Sequence, residues 1–229
     1  RLGIPVDFTN EGIRGLCHNR ATMFPAQCGQ GATWNKKLIR EIAKVTADEA
    51  KALGYTNIYA PILDIAQDPR WGRVVESYGE DPYLAGVMCV PYIREIQKNG
   101  VAVSVKHYAL NNQELWRGHI DVQLSNRALH EIYLPAFKAA VQKGGAWTVM
   151  GAYNKVRGQH ACHNDFLLNK ILKNDWGFDG VVVTDWGGAH DTYEAAMNGL
   201  DIEMGSYTNG LTSESAFTFE ALSPDVEGR

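Results

Sequence analysis

Several things are scarce in this 229-residue sequence, and each scarcity closes off a class of protein. No apolar run reaches the roughly 18 residues that a membrane-spanning helix needs. There is no basic run either, and 22 Lys+Arg against 26 Asp+Glu leave a net charge of -4, which offers no footprint for nucleic acid or an anionic membrane. The four cysteines, Cys17, Cys28, Cys89 and Cys162, show neither CxxC spacing nor the density of a disulfide scaffold, so they read as packed thiols rather than metal ligands. No GxGxxG or GxxxxGK[ST] loop is present to cradle a phosphate, which weakens a nucleotide-binding reading. The chain begins at Arg1 with neither an initiator methionine nor an apolar signal segment, and is expected to be a processed or truncated piece.

What is present is 45% hydrophobic and 10% aromatic, enough for one sizeable core. Short apolar runs alternate with longer amphipathic stretches, the pattern of βα units around a parallel sheet. Strands are expected at Ile4–Phe8, Asn57–Asp64, Val101–Tyr108, Trp147–Tyr153, Val181–Asp185 and Leu200–Met204. From Trp34 to Leu53 the spacing predicts a helix with Leu38, Ile39, Ile42, Val45, Ala52 and Leu53 on one face and Gly54 as its stop; Glu49 interrupts that face and needs a partner or water. Asp81-Pro82 starts another helix that ends at Gly100 and should kink or divide at Pro91, and Pro135 poses the same obstacle within Asn126 to Lys143. Asn164 is placed to cap a helix carrying Leu167, Leu168, Ile171 and Leu172, and a last helix should run from Asp191 to Gly199.

Alternation alone does not separate a barrel from a doubly wound open sheet, but the polar residues do. Nearly every expected strand ends on them: Asp64, Lys106-His107, Tyr153-Asn154, Asp185-Trp186, Glu203. In a (β/α)8 barrel such ends converge on one mouth. The expectation is therefore an α/β fold, a TIM-like barrel incomplete in this chain, over residues 1–204. Residues 205–229, rich in Gly, Ser and Thr, read as a loop or linker tail towards an absent second domain.

At that mouth Asp185-Trp186 is the sharpest feature. A lone strand-end acid most often caps the following helix, but an indole beside it makes a platform for a sugar ring, with the carboxylate aimed at the anomeric carbon. Gly187 and Gly188 are expected to keep the approach open. Lys106 closes a buried strand and must either pair with a carboxylate or bind an oxygen-rich ligand; a Schiff-base role is a remote third reading. His107 alone would be a satisfied core histidine. In QDPRWGR, Arg73 leans towards function and Arg70 towards structure, while Met150, Tyr153 and Glu11 are weaker candidates that gain weight only if the mouth exists.

RLGIPVDFTNEGIRG, APILDIAQDPRWGRVVESYGEDPYLAG, VSVKHYALNNQE, VMGAYNKVRGQHAC and DWGFDGVVVTDWGGAHDTYEAAMNGLDIEM together resemble the catalytic barrel of glycoside hydrolase family 3, from Arg1 to about Met204. The resemblance implies a retaining, exo-acting β-glycosidase that needs no metal or cofactor and acts on a β-glucoside or oligosaccharide. It implies that Asp185 is the nucleophile, that Trp186 lines the sugar site, and that Arg73, Lys106, His107 and Tyr153 hold hydroxyls, with Met150 on the same wall. Glu11 falls where many members carry an aspartate, and its extra methylene resembles pentose-preferring members, whereas Trp186 points to glucose; β-glucosidase is preferred and β-xylosidase is the alternative. The family's acid/base usually comes from a following domain, and KHYALNNQE departs from the KHFPGHG loop that supplies it in one branch. A second domain or chain is therefore expected to supply it, and a non-catalytic sugar-binding role stands as the competing reading. A secreted or periplasmic location is the expectation from family habit.

Overall fold

The computed structural model describes residues 3–204. Residues 205–229, including the expected linker tail, lie outside the described residues. Five strands form one parallel sheet in the order β1 (Thr9–Glu11), β2 (Asn57–Tyr59), β3 (Ala102–Tyr108), β5 (Thr148–Gly151), β8 (Val181–Thr184). Ile202 extends it by a parallel bridge to Val183, so the expected strand at Leu200–Met204 is present only as that bridge and its flanking hydrogen bonds. A small rim sheet joins β4 (Asp121–Val122), β6 (Lys155–Val156) and β7 (Gln159–His160), with β6 and β7 linked by a two-residue turn at Arg157 and Gly158, both at positive φ. Helices intervene between the sheet's successive strands, as an incomplete (β/α)8 barrel requires.

The period-2 alternation of the strands sorts their side chains into two layers. Ile58, Val103, Val105, Val149 and Val182 join the large core beneath the helices. Their neighbours Tyr59, Met150 and Val183 form a second, smaller cluster with Trp186 and Met204 on the other face. Glu11 pairs in register with Tyr59, and Asp185 follows Val183 by two residues, so both carboxylates fall on the face of the smaller cluster. The same alternation would send Lys106 inward and His107 outward. A register shift between Val105 and Tyr108 breaks it, and both side chains end fully enclosed near the strand ends.

The first expected strand is displaced. Ile4, Val6 and Phe8 are exposed, and pairing begins at Thr9, after the Phe8 carbonyl has accepted from Thr56 and Asn57. Helix α2 (Lys36–Leu53) is capped by Asn35, whose Oδ1 accepts from the Lys37 and Leu38 amides at 3.1 Å, and it ends on Gly54 at φ +83. Its buried face is Ile39, Ile42, Ala43, Thr46, Ala47 and Ala50, so Leu38 and Val45 sit one step off it and are partly exposed. Glu49 finds its partner in Thr22, accepting from the amide and the hydroxyl. Helix α3 (Pro82–Lys98) runs on through Pro91, whereas the segment around Pro135 is divided into short helical pieces. Among the described residues no helix is long and apolar enough to cross a membrane.

Candidate active site

The site is assembled from the ends of the five parallel strands and the loops that follow them. Lys106, at the end of β3, donates to Glu11 Oε2 from β1 at 2.6 Å; the lysine is 2% exposed and the Glu11 side chain 41%. The pair thus has one buried and one open partner. Its ammonium also lies 5.8 Å from the Tyr59 ring.

His107 is enclosed completely and uses both ring nitrogens. Nδ1 lies 2.8 Å from Asp64 Oδ2, which also accepts the His107 backbone N–H at 2.9 Å. Nε2 lies 2.9 Å from an Arg73 guanidinium nitrogen and 3.5 Å from Asp185 Oδ2. Burial first, then the charges of Arg73 and Lys106, hold the imidazole well below its usual range, so the ring is neutral and its contact with Asp64 is a hydrogen bond rather than a pair of full charges. Burial likewise pushes Asp64 up to about 7. Arg73 is fixed from its other side by Glu76 Oε2, at 2.9 and 2.6 Å, in the short turn that follows it.

Asp185 is 8% exposed and ends β8 on the inner face. Its Oδ1 accepts the Trp186 amide at 2.8 Å, while the next helix, Thr192–Met197, is capped by Asp191 instead. The helix-cap reading of Asp185 therefore fails. Tyr153, on the loop after β5, stays protonated: burial raises its phenol well above the usual range and the Asp185 charge adds to this. Trp186 is half-buried and packs edge-on against Tyr59 at 5.7 Å and 81°. Met150 is wholly buried beneath it, in the cluster with Tyr59 and Val183, so it touches the site through the indole.

The two glycines after Trp186 act differently from the expectation. A Cβ on Gly188 would lie 2.8 Å from the Cys162 sulfur and 3.1 Å from the Asp185 carbonyl, and one on Gly151 would lie 2.7 Å from the same sulfur. Gly188 is small to admit the buried Cys162 beneath the strand end, and Gly187 supplies a positive φ of 66°. The cysteines are free, as expected, but Cys17 is exposed and Cys28 half-buried, so only Cys89 and Cys162 are packed thiols.

Eight expected site residues thus gather at one end of the sheet, and Arg70 stands apart as an exposed partner of Asp68. Sequence reasoning did not single out Asp64, Glu76 or Arg117. Asp64 closes an apolar run just as Asp185 does, and Glu76 stands three residues beyond Arg73, a pairing distance in a helical turn. Arg117 lies 4.2 Å from the Tyr153 ring and is anchored to Glu114 at 2.6 Å; its only signal was the same i,i+3 spacing.

A parallel barrel sheet that gathers a near-buried carboxylate, an indole, a lysine and an arginine at its C-terminal strand ends defines a (β/α)-barrel protein with a carboxylate-centred site. The chain belongs to glycosyl hydrolase family 3: residues 1–206 match the model of the glycosyl hydrolase family 3 N terminal domain. It is 56% identical to a β-glucosidase of Bacteroides ovatus over 96% of this chain and 31% of that protein. It is 42% identical to an exo-α-(1→6)-L-arabinopyranosidase of Bifidobacterium longum over 82% of this chain and 25% of that protein. The solved structure of β-glucosidase 3B from Thermotoga neapolitana in complex with glucose superposes with a TM-score of 0.88 at 35% identity, covering 93% of this chain and 31% of that one. The chain therefore spans between a quarter and a third of the length of these relatives.

Proposed function

We propose that this barrel carries the sugar pocket and the nucleophile of a retaining, exo-acting β-glycosidase, a β-glucosidase by preference. The observation that carries the reading is Asp185: a carboxylate at an inner strand end, 8% exposed, with Oδ1 accepting the Trp186 amide and Oδ2 turned towards His107 Nε2 at 3.5 Å. Such a carboxylate is positioned to attack an anomeric carbon, forming a glycosyl ester that water later hydrolyses. Lys106, Arg73 and Tyr153 supply donors for hydroxyls around it, and Trp186 an apolar face for the ring. Retention requires a second carboxyl group about 5 Å away to protonate the leaving oxygen. We assign that group to a part of the enzyme beyond this barrel, a second domain or chain.

In the intact polypeptide, Asp185→Asn should lower kcat on an aryl β-glucoside by a factor on the order of 10⁴ or more, with binding of glucose retained. Activity near the wild-type level would end the proposal, and glucose binding by a wild-type protein without turnover would favour the non-catalytic reading.

A pentosidase is the second reading, and the Glu11–Lys106 pair favours it, because the longer acid reaches the buried lysine and occupies room beside it. The ratio of kcat/KM for aryl glucoside over aryl xyloside decides: it should exceed unity and rise roughly tenfold in Glu11→Asp, the worth of one methylene in a pocket. A ratio below unity establishes the pentosidase.

A further inference from the structure

We infer that Asp64 is a positioning residue that fixes His107 in the Nδ1–H tautomer, so that Nε2 serves Arg73 as an acceptor and aims no N–H at the facing oxygen of Asp185. The inference rests on the reading of Asp185 as nucleophile for its consequence, though not for its geometry.

Asp64 is not itself among the groups placed to meet a sugar, and nothing in the proposed reaction requires it. Yet it is 3% exposed and its Oδ2 accepts twice from one residue, from the His107 amide at 2.9 Å and from Nδ1 at 2.8 Å. A neutral ring carries one proton. On the other side of the ring the guanidinium of Arg73, which can only donate, sits 2.9 Å from Nε2. With the proton on Nδ1, both hydrogen bonds of the ring join a donor to an acceptor, and only the longer 3.5 Å approach of Nε2 to Asp185 Oδ2 sets two acceptors near each other. With the proton on Nε2, two donors face each other at Arg73 and two acceptors at Asp64. The backbone amide adds a second constraint. Because it donates to the same Oδ2, a proton taken up by Asp64 goes to Oδ1, and Oδ2 remains an acceptor in both states of the acid.

The consequence falls on Asp185. Its Oδ2 is 3.5 Å from Nε2. An Nε2–H would point a donor at the oxygen that must attack and would draw electron density from it; a bare Nε2 does not. Asp64 thereby keeps an imidazole N–H from being aimed at the attacking oxygen.

The test uses the intact polypeptide labelled with ¹⁵N-histidine, with the His107 resonances identified by their loss in His107→Gln. Two-bond proton–nitrogen correlations should report Nδ1–H in the wild type; Nε2–H there overturns the inference without any variant. Asp64→Asn, presenting its amide oxygen to the same two donors, should keep the Nδ1–H tautomer. Asp64→Leu removes the acceptor, so the Nε2–H form should appear and kcat on an aryl β-glucoside should fall roughly 10- to 100-fold with KM little changed. Asn should recover the greater part of that loss. An Asn variant as impaired as Leu, or a folded Leu variant that keeps Nδ1–H, contradicts the inference. Absence of any glycosidase activity in the wild type overturns the functional reading alone, since the tautomer is read without turnover.

Discussion

His107 on one side and His160 and His163 on the other are all held towards the neutral imidazole chiefly by burial, but they are partnered differently. His107 is clamped between an acid and a guanidinium, and both nitrogens are committed to partners that differ in kind. In the other group, His160 stacks on His190 with ring centroids 3.9 Å apart and lies 5.5 Å from His163. Burial first, and the neighbouring His190 second, push His160 down to about 4, and burial also lowers His163 in spite of Glu194 Oε2 at 2.7 Å. A clamped ring has its tautomer as well as its charge set by geometry. In the other group His160 Nδ1 meets the Tyr153 carbonyl at 3.1 Å and His163 Nδ1 the Glu194 carboxylate, so acceptors orient one nitrogen of each ring, and both rings stay neutral only while the solution keeps them unprotonated. Among the described residues, no group of three or more His, Cys, Asp or Glu side chains converges as a metal site.

If the contrast is real, turnover should separate the two regions most. Asp64→Leu, which opens the clamp, is expected to cost roughly 10- to 100-fold in kcat, whereas His160→Gln, measured in the same assay, should leave it near the wild-type value. Equal losses would mean that the stack also serves the reaction.

Acid stability should separate them next, and in the other direction. A histidine with a depressed folded pKa binds protons more readily when unfolded, so its contribution is present above about 6.5, the unfolded value, and is lost as the pH falls below it. That applies to His107, His160 and His163. At the clamp, Asp64 opposes the trend: raised to about 7, it contributes stability below its unfolded value that is lost as the pH rises through neutrality. The clamp is therefore partly self-compensating and the stack is not. Urea denaturation at pH 7 and pH 4.5 should show a loss on the order of 2 kcal/mol on acidification, and His160→Gln should remove about 1 kcal/mol of it, a figure already reduced because that ring is only half-buried. A His160→Gln protein with an unaltered pH profile would place the acid sensitivity elsewhere. The smallest effect is expected at Glu194→Gln. Its carboxylate is partly exposed and favours the charged form of His163, so at pH 6 the variant should lose about 0.5 kcal/mol or less, and a larger loss would make that pair part of the core.

How much of this was legible in the sequence depended on the range of the forces involved. The βα alternation, the Gly54 stop, the Asn164 cap, the Asp191 start and the polar strand ends are local signals, and they located the sheet, the helices and most of the site. Burial decides the rest. Ile4, Val6 and Phe8 alternate like a strand, but with their side chains exposed the register starts later, at Thr9. Leu38 and Val45 lie at the margin of a helical face that, beyond Ile39 and Ile42, is made of alanines and Thr46, residues that carry little hydrophobic signal. The register shift that encloses Lys106 and His107 together breaks the period-2 rule that would send them to opposite faces. Asp64 was noticed as a strand end but not as a partner of His107, because the two are 43 residues apart and meet only across neighbouring strands. Gly188 was read as leaving room for a ligand, when the atom it makes room for is the Cys162 sulfur, 26 residues earlier in the chain than the glycine by the numbering.

The central claim is that Asp185 attacks the sugar, and covalent trapping tests it most directly. The intact enzyme, incubated with a 2-deoxy-2-fluoro β-glucoside bearing a good leaving group and then digested, should gain one fluoroglucosyl unit on the peptide that contains VVVTDWGG, with the added mass at Asp185. A label on any other carboxylate, or inactivation without a label at Asp185, would contradict the account.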